Sequence, residues 1–176
     1  MQKKKILAIS GSTKANSTNE LILRTIAKSY SEKLDFEIYT EIAELPHFNP
    51  DLEMGEPPAT VKNFRELIEK ADGVLISTPE YVFSLPGSLK NALEWTVSTV
   101  VFSDKPTAFI IAAASGDKAF ESLDLILKTI GAKVGENSKL IIKAAKGKFN
   151  PQGEITDQKT LEEIDILMKS LIETLL

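Results

Sequence analysis

Short apolar runs alternate along the chain with longer segments in which apolar residues recur every three or four positions. The apolar runs are almost continuous, which is typical of strands buried on both faces of a sheet. The longer segments have the periodicity of amphipathic helices. The predicted strands are Lys5–Ser10, Asp35–Tyr39, Gly73–Ser77, Thr107–Ala113 and Lys139–Lys143. The predicted helices are Thr18–Glu32, Thr60–Ala71, Gly87–Val100, Lys118–Gly131 and Leu161–Leu175.

This alternation predicts the architecture of the protein. Strands that alternate with helices, without an internal repeat or a linker, predict a single α/β domain over residues 1–176. Its core is an open parallel sheet with helices on both faces. Ligands of such sheets bind beyond the carboxyl ends of the strands, where the strand order reverses. The loops after the first, third and fourth strands are therefore the candidate functional loops.

Composition narrows the chemistry that the domain can perform. The chain has no cysteine and one histidine, His47, so it has no disulfide, no thiol nucleophile and no predicted metal site. Electron transfer would need a bound cofactor. The net charge of −4 does not favour nucleic acid as a partner. No apolar stretch approaches the ~20 residues of a membrane span, and Ile6–Ile9 is too short for a signal peptide, so we expect a cytoplasmic protein.

The first candidate loop, Ser10–Asn19, has the residues of a phosphate cradle. A helix that begins near Thr18 offers free N–H groups and a partial positive charge. The loop is not a Walker A motif, and with Gly11 alone it is not a dinucleotide fingerprint, so the phosphate it suits is a terminal monoester. The alternative is a capping box formed by Ser17 and Glu20. That box does not explain the other polar residues of the loop, which are Ser12, Thr13, Lys14 and Asn19.

The second candidate loop, Thr78–Gly87, combines rigidity with aromatic surface. Two prolines and a glycine stiffen it, and Ser84 is predicted to cap the helix whose first turn holds Pro86. Tyr81 and Phe83 offer a platform for a flat, partly apolar ring. The alternative is that both rings pack underneath the loop.

These loops resemble the motifs of the NADPH-dependent FMN reductase family of flavodoxin-like proteins, which includes quinone, azo-dye and chromate reductases. Gly11–Asn19 resembles Gly-Ser-x-Arg-x-x-Ser-x-Asn, with Lys14 in place of arginine. Pro79–Trp95 resembles Pro-Glu-Tyr-Asn-x-Ser-x-Pro-Gly-x-Leu-Lys-Asn-Ala-x-Asp-Trp, with Val82 in place of asparagine and Glu94 in place of aspartate. Leu45–Asp51 resembles the family's loop after the second strand. The resemblance covers most of the chain and implies a flavodoxin-like three-layer sandwich with strand order 2-1-3-4-5.

The resemblance also implies an FMN site. The FMN phosphate would be held by the first loop, through Ser12, Lys14, Ser17, Thr18 and Asn19. The isoalloxazine would lie against Pro79, Glu80, Tyr81, Val82, Phe83 and Ser84, largely through backbone groups. Ser115 and Gly116 of the third loop would approach the flavin from the other side, although Ser115 and Asp117 could instead cap the following helix. No catalytic side chain is implied, because the chemistry takes place on the flavin.

The function that the resemblance implies is hydride transfer from NADPH or NADH through FMN to a small-molecule acceptor, such as a quinone, an azo compound or free flavin. A flavodoxin-like electron carrier without nicotinamide turnover is the alternative, and a binding protein that has lost turnover is another. The family implies a homodimer or homotetramer. The helix Gly87–Val100 could supply an interface through Leu89, Leu93 and Val97, or could be buried on the sheet. His47 is interpreted as a loop residue within Thr40–Pro58, a segment long for a structureless connection.

Overall fold

Parallel strands flanked by helices make up the part of the chain that this computed structural model describes, residues 3–150 and 153–176. The strands are β1 (Lys4–Ser10), β2 (Leu34–Tyr39), β3 (Gly73–Thr78), β4 (Pro106–Ala113) and β5 (Lys133–Lys143). The helices are α1 (Thr18–Ser29), α2 (Pro50–Glu53), α3 (Ala59–Lys70), α4 (Gly87–Glu94), α5 (Asp117–Thr129) and α6 (Gln158–Thr174). Two 3₁₀ turns lie at Ile42–Glu44 and Ala145–Lys148.

The sheet has the order β2-β1-β3-β4-β5, and all its strand pairs are parallel. The order that the family resemblance implies is therefore confirmed. After β2 the chain crosses back over β1 to form β3, so the strand order reverses between β1 and β3. Ser10 pairs with Ser77 there, which brings the loops after β1 and β3 to the same edge of the sheet.

Two apolar layers cover the sheet, because its strands bury side chains on both faces. In β1, Leu7 and Ile9 pack with α3, α4 and α5 on one face. Ile6 and Ala8 pack with α1 and α6 on the other. All four side chains are fully buried, which explains why the run is continuous in apolar residues. Among the described residues, no helix is both long and apolar enough to cross a membrane.

Helix α4 is shorter than predicted, since it ends at Glu94 and not at Val100. The hydroxyl of Thr96 donates a hydrogen bond to the carbonyl of Leu93 (2.8 Å), and the hydroxyl of Thr99 donates to the carbonyl of Thr96 (2.7 Å). Such side-chain bonds to the backbone compete with helix continuation, and β-branched residues lower helix propensity further. Leu89 and Leu93 are buried on the sheet, so these positions of the helix are not available to a partner.

The long connection between β2 and α3 is structured by contacts with α4. The side-chain amide of Asn91 donates to the carbonyl of Pro46 (2.9 Å), and the Trp95 indole N–H donates to the same oxygen (2.7 Å). Asn91 also accepts a hydrogen bond from the backbone N–H of Phe48 (2.7 Å). Two residues of the second family motif therefore fasten this connection. His47 lies between the fastened positions as an exposed loop residue.

Candidate cofactor site

Four loops at the carboxyl edge of the sheet surround a cavity of about 620 Å³, a volume typical of cofactor sites. The loops follow β1, β3, β4 and β5. The cavity is lined by Ser12, Lys14, Asn16, Ser17, Thr18, Asn19, Pro79, Glu80, Tyr81, Ala112, Ala113, Ala114, Ala144, Ala145, Lys146 and Gly147. The first and second candidate loops therefore meet at one site, as expected from the position where the strand order reverses.

The N-terminus of α1 presents unpaired backbone donors to this cavity. The hydroxyl oxygen of Ser17 accepts the N–H of Glu20 (3.1 Å), which is the first half of the predicted capping box. The Glu20 carboxylate accepts the N–H of Asn16 (2.9 Å) and not that of Ser17, so the second half is displaced by one residue. Within the described residues, the N–H groups of Ser17, Thr18 and Asn19 consequently have no acceptor.

The side chains of the first loop add donors and positive charge. Ser12 is buried, and its hydroxyl oxygen accepts the N–H of Lys14 (3.3 Å), so the hydroxyl hydrogen remains able to donate. Lys14 is exposed at the cavity wall. Lys146 lines the cavity from the loop after β5. In the part of the chain that the structure describes, neither lysine forms an ion pair, so both charges are available to a ligand.

Asn19 joins the first loop to the sheet. Its buried side-chain amide donates to the carbonyl of Ala112 (3.2 Å), and its carbonyl oxygen accepts the hydroxyl of Ser77 (2.9 Å). These bonds fix the first turn of α1 against the ends of β3 and β4. The side chain therefore serves the protein itself, and the backbone N–H is the donor that Asn19 offers to the cavity.

The second loop ends in a tight hairpin at the mouth of the cavity. The N–H and the carbonyl of Tyr81 pair with those of Ser84 (both 3.0 Å), and Val82 and Phe83 have φ of 51° and 56°, the geometry of a type I′ turn. Val82 is 95% exposed and Phe83 78% exposed, so the Phe83 ring does not pack underneath the loop. Pro79, Glu80 and Tyr81 line the cavity, whereas Val82, Phe83 and Ser84 lie outside its wall.

The predicted helix cap at Ser84 is wrong. Helix α4 begins at Gly87 after Pro86 in the N-cap position, and no side chain caps it. Ser84 has a different task, because its backbone closes the hairpin opposite Tyr81. The sequence signal was misleading because serine is common both at helix N-caps and in turns, so its place before Pro86 does not distinguish the two roles.

Val82 is strained in this turn, and the strain predicts a stabilising substitution. A β-branched residue rarely adopts a positive φ, whereas asparagine does so readily. We expect Val82→Asn to raise the free energy of unfolding by about 1 kcal/mol and the melting temperature by about 2–4 °C. Thermal and urea denaturation of cofactor-free protein measure the change. Val100→Asn is the matched control, since Val100 is also exposed but has no positive φ; an equal gain there would contradict the explanation.

The third loop is held by a carboxylate from the second. Glu80 accepts the N–H groups of Gly116 (3.2 Å), Lys118 (3.0 Å) and Ala119 (2.9 Å), and so caps α5 from outside the helix. The alternative in which Ser115 and Asp117 cap this helix is therefore wrong. The Ser115 hydroxyl donates to the Asp117 carboxylate (3.0 Å).

Asp117 is occupied by charged and polar partners of its own. The Lys143 ammonium donates to both of its oxygens (2.9 Å each). The hydrogen bonds from Lys143 and Ser115 hold the pKa of Asp117 below its usual range. Ser115 and Gly116 do not line the cavity; the alanines at 112–114 stand there in their place.

Sequence reasoning missed one complete wall of the cavity. Ala144–Gly147 follow β5, which the strand order 2-1-3-4-5 places beside β4. The loop after the predicted strand Lys139–Lys143 was therefore available as a fourth candidate. Three of its four cavity residues are alanine or glycine and carry no functional group, and Lys146 is a single lysine that belongs to none of the sequence motifs. The other missed residues are Asn16 in the first loop and the alanines at 112–114.

The site fits FMN in its distribution of donors and surfaces. Three consecutive backbone N–H groups, a serine hydroxyl and Lys14 meet the needs of a phosphate monoester. Pro79 and Tyr81 line the same cavity with apolar and aromatic surface, and the small alanines of the third and fourth loops leave room for a ligand beside them.

Comparisons with known proteins give the family of the chain. A family profile described as NADPH-dependent FMN reductase matches residues 4–147. The chain is 34% identical to the NADH-dependent flavin reductase subunit 2 of Lactobacillus johnsonii over 96% of both chains. It is 32% identical to the quinone reductase of Escherichia coli over 93% of this chain and 90% of that protein. The solved structure of FerB, a flavoenzyme NAD(P)H:(acceptor) oxidoreductase from Paracoccus denitrificans, has a TM-score of 0.79 and 25% identity, and the match covers 98% of this chain and 97% of that one.

These matches confirm that the protein is an oxidoreductase enzyme with FMN as cofactor and NADH or NADPH as co-substrate. They also confirm the flavodoxin-like fold. The chain therefore belongs to the NADPH-dependent FMN reductase family.

Proposed function

We propose that the protein transfers hydride from NADH or NADPH to FMN bound in this cavity, and from the flavin to a small-molecule acceptor such as a quinone, an azo compound or free flavin. The observation that carries the proposal is the set of unpaired N–H groups at Ser17, Thr18 and Asn19, which share one cavity with Pro79 and Tyr81. Donors for a phosphate and a surface for a flat ring thus line the same cavity.

The phosphate end of the proposed site uses the predicted residues of the first loop together with one additional cation. Ser12, Lys14, Ser17, Thr18 and Asn19 supply hydroxyl, ammonium and backbone donors. Lys146 faces the same cavity, so a second ammonium compensates part of the dianion's charge. A lysine lacks the bidentate fork of the arginine that the family motif has at position 14, and two lysines restore positive charge without restoring that geometry.

At the ring end the protein orients the reactants and takes no part in the chemistry itself. Bound FMN supplies the hydride acceptor and donor. Pro79 and Glu80 form a rigid wall, because Glu80 is tied to α5 by three hydrogen bonds. Tyr81 is 55% exposed and Phe83 still more so, and these rings at the cavity mouth suit a flat aromatic acceptor. Each turnover consumes one reduced nicotinamide and one solvent proton, and no side-chain acid or base is required.

One preparation tests the proposal. Purified protein saturated with FMN should be yellow, and anaerobic NADH or NADPH should bleach its flavin absorbance, which an added quinone should then restore. Protein that stays colourless after incubation with FMN would overturn the proposed site. A yellow protein that neither nicotinamide reduces, but that dithionite does reduce, would indicate the electron carrier in place of the enzyme.

The proposal includes a homodimer or homotetramer in the cytoplasm, where reduced nicotinamide is available. The observation in favour of an oligomer is a group of exposed apolar residues on either side of a polar contact. The Ser98 hydroxyl donates to the Glu53 carboxylate, and Leu52 and Met54 flank Glu53. Val97 adjoins Ser98 and is also exposed. Exposed apolar groups of this kind are typical of protein–protein interfaces.

A further inference from the structure

The N-termini of α1 and α5 lie at the same edge of the sheet, each next to residues that line the cavity, and they differ in what fills them. At α1, the first backbone N–H groups have no acceptor among the described residues. At α5, the N–H groups of Gly116, Lys118 and Ala119 are all bonded to the Glu80 carboxylate. Each terminus carries partial positive charge, so each would attract an anion if it were left open.

The cap of α5 has to come from another loop because its N-cap residue cannot carry a side chain. Gly116 has a φ of 105°, which side-chain-bearing residues rarely adopt. A Cβ at this position would also lie 3.0 Å from the Cγ2 atoms of Ile111 and Ile141. The usual capping residues are therefore excluded at position 116, and Glu80 performs the task from the loop after β3.

Glu80 joins the two loops that flank the ring end of the cavity. It lines the cavity itself and lies between Pro79 and Tyr81, which also line it. Both carboxylate oxygens are used, Oε1 for Gly116 and Oε2 for Lys118 and Ala119. The carboxylate therefore fixes the separation of these loops and places a negative charge beside the proposed ring position.

We propose that Glu80 is a positioning residue that fills the anion site at the N-terminus of α5, so that a phosphate monoester entering the cavity meets a filled N-terminus at α5 and an open one at α1. Its orientation is then fixed with the ring between the second and third loops. The occupancy of the α5 terminus follows from geometry alone, whereas the orientation of FMN rests on the proposed function.

Backbone amide hydrogen exchange of cofactor-free Glu80→Ala tests the occupancy. The amides of Lys118 and Ala119 should exchange about tenfold faster than in the wild type, the size expected when an N-terminal cap is lost. Inorganic phosphate or acetate should slow these two amides again in the variant, since a free anion replaces the carboxylate, and sodium chloride at equal ionic strength should slow them less. Unchanged exchange, or exchange that anions do not slow, would overturn the proposal.

Two further variants keep this test decisive. Glu80→Gln retains an oxygen acceptor in a side chain of the same shape. It should therefore fold even if Glu80→Ala fails to fold, and its amides at Lys118 and Ala119 should show a smaller acceleration of exchange. Glu121→Gln removes an equal charge from the same helix, where Glu121 pairs with Lys118 on the exposed surface, and should leave the amide of Ala119 unchanged. Equal acceleration in Glu121→Gln would mean that charge alone is responsible and that the Glu80 bonds are not.

The second part of the test, which requires the cofactor, measures the midpoint potential of bound FMN. Glu80→Gln should shift this potential to a more positive value, because removing a carboxylate beside the ring favours the more negatively charged reduced form. Glu121→Gln should leave the potential unchanged. A potential unmoved in Glu80→Gln would contradict the position of the ring beside Glu80. Protein that binds no FMN would contradict the proposed function, while the exchange results on cofactor-free protein would still decide the occupancy of α5.

Discussion

Replacing Lys14 with alanine is expected to weaken FMN binding about tenfold while leaving riboflavin binding unchanged. Lys14 lines the cavity beside the free N–H groups of α1, and it forms no ion pair within the described residues. A hydrogen bond to a charged group contributes about 1.5–3 kcal/mol, and an exposed lysine should reach only the lower end of that range. Since 1.4 kcal/mol corresponds to a factor of ten, the dissociation constant should rise by that factor.

Riboflavin is the decisive comparison because it has the same ring and ribityl chain but no phosphate. Fluorescence titration of cofactor-free protein gives both dissociation constants, and their ratio isolates the phosphate. The effect should shrink as salt is added, because exposed charges are screened within about 10 Å at 0.1 M ionic strength. If Lys14→Ala weakens FMN and riboflavin equally, the lysine acts on the shape of the loop and not on the phosphate.

Two other lysine variants complete this measurement: Lys70→Ala, outside the cavity, is the control, and Lys146→Ala, inside it, tests the second cation. Lys70→Ala makes the same change in net charge at the last residue of α3, which leads into the start of β3 and so lies at the opposite edge of the sheet; FMN binding should not change. Lys146→Ala removes the second cation of the cavity and should also reduce the ratio of FMN to riboflavin affinity. An unchanged ratio in both Lys14→Ala and Lys146→Ala would assign the phosphate's charge neutralisation to the α1 N-terminus alone.

The hydropathy pattern was sufficient to predict the central strands of the sheet. The run Gly73–Ser77 was extended by only one residue in β3, because a strand buried on both faces shows its full length as apolar residues. The hydropathy pattern was insufficient to predict the strand at the edge of the sheet. β5 begins at Lys133, six residues before the predicted start at Lys139, and its first part contains Gly135 and Glu136 and is interrupted by a register shift opposite β4. An irregular, half-exposed edge strand has no apolar signature to detect.

The same distinction between local and distant causes explains what could be predicted of the site. The Ser17 cap could be read from spacing, because its partner Glu20 lies three residues away. The task of Glu80 could not, since its partners lie 36–39 residues further along the chain. The family motif placed Glu80 at the flavin, but only the fold shows that its carboxylate is committed to α5.

Gly11→Ala is expected to lower the free energy of unfolding by about 3 kcal/mol, the upper end of the range for inserting a methyl group into a filled core. A Cβ at Gly11 would lie 2.3 Å from Oγ1 and 2.6 Å from Cβ of the buried Thr78, and 3.0 Å from Cδ2 of Leu89. The φ of Gly11 is not positive, so the clash is the reason for glycine here and conformational freedom is not. Urea denaturation of the cofactor-free variant measures the loss.

Thr78→Gly provides the matching test, because it removes both of the closest atoms. In the Thr78→Gly background, Gly11→Ala should cost less than about 1 kcal/mol, because of the three nearest contacts only the one with Leu89, at 3.0 Å, remains. An equal cost in both backgrounds would show that the Gly11–Thr78 contact is not the cause of the destabilisation.

The same pair also links stability to the proposed function. Gly11 leads into Ser12 of the phosphate loop, Thr78 leads into Pro79 of the ring loop, and the Gly11 N–H donates to the carbonyl of Ser77 (2.8 Å). The absence of a side chain at Gly11 therefore sets how closely the two loops approach. Gly11→Ala should push them apart and weaken FMN binding beyond its effect on riboflavin, because the phosphate and the ring can no longer both reach their places. The Thr78→Gly background should restore part of that loss, whereas a site whose halves moved independently would show no such restoration.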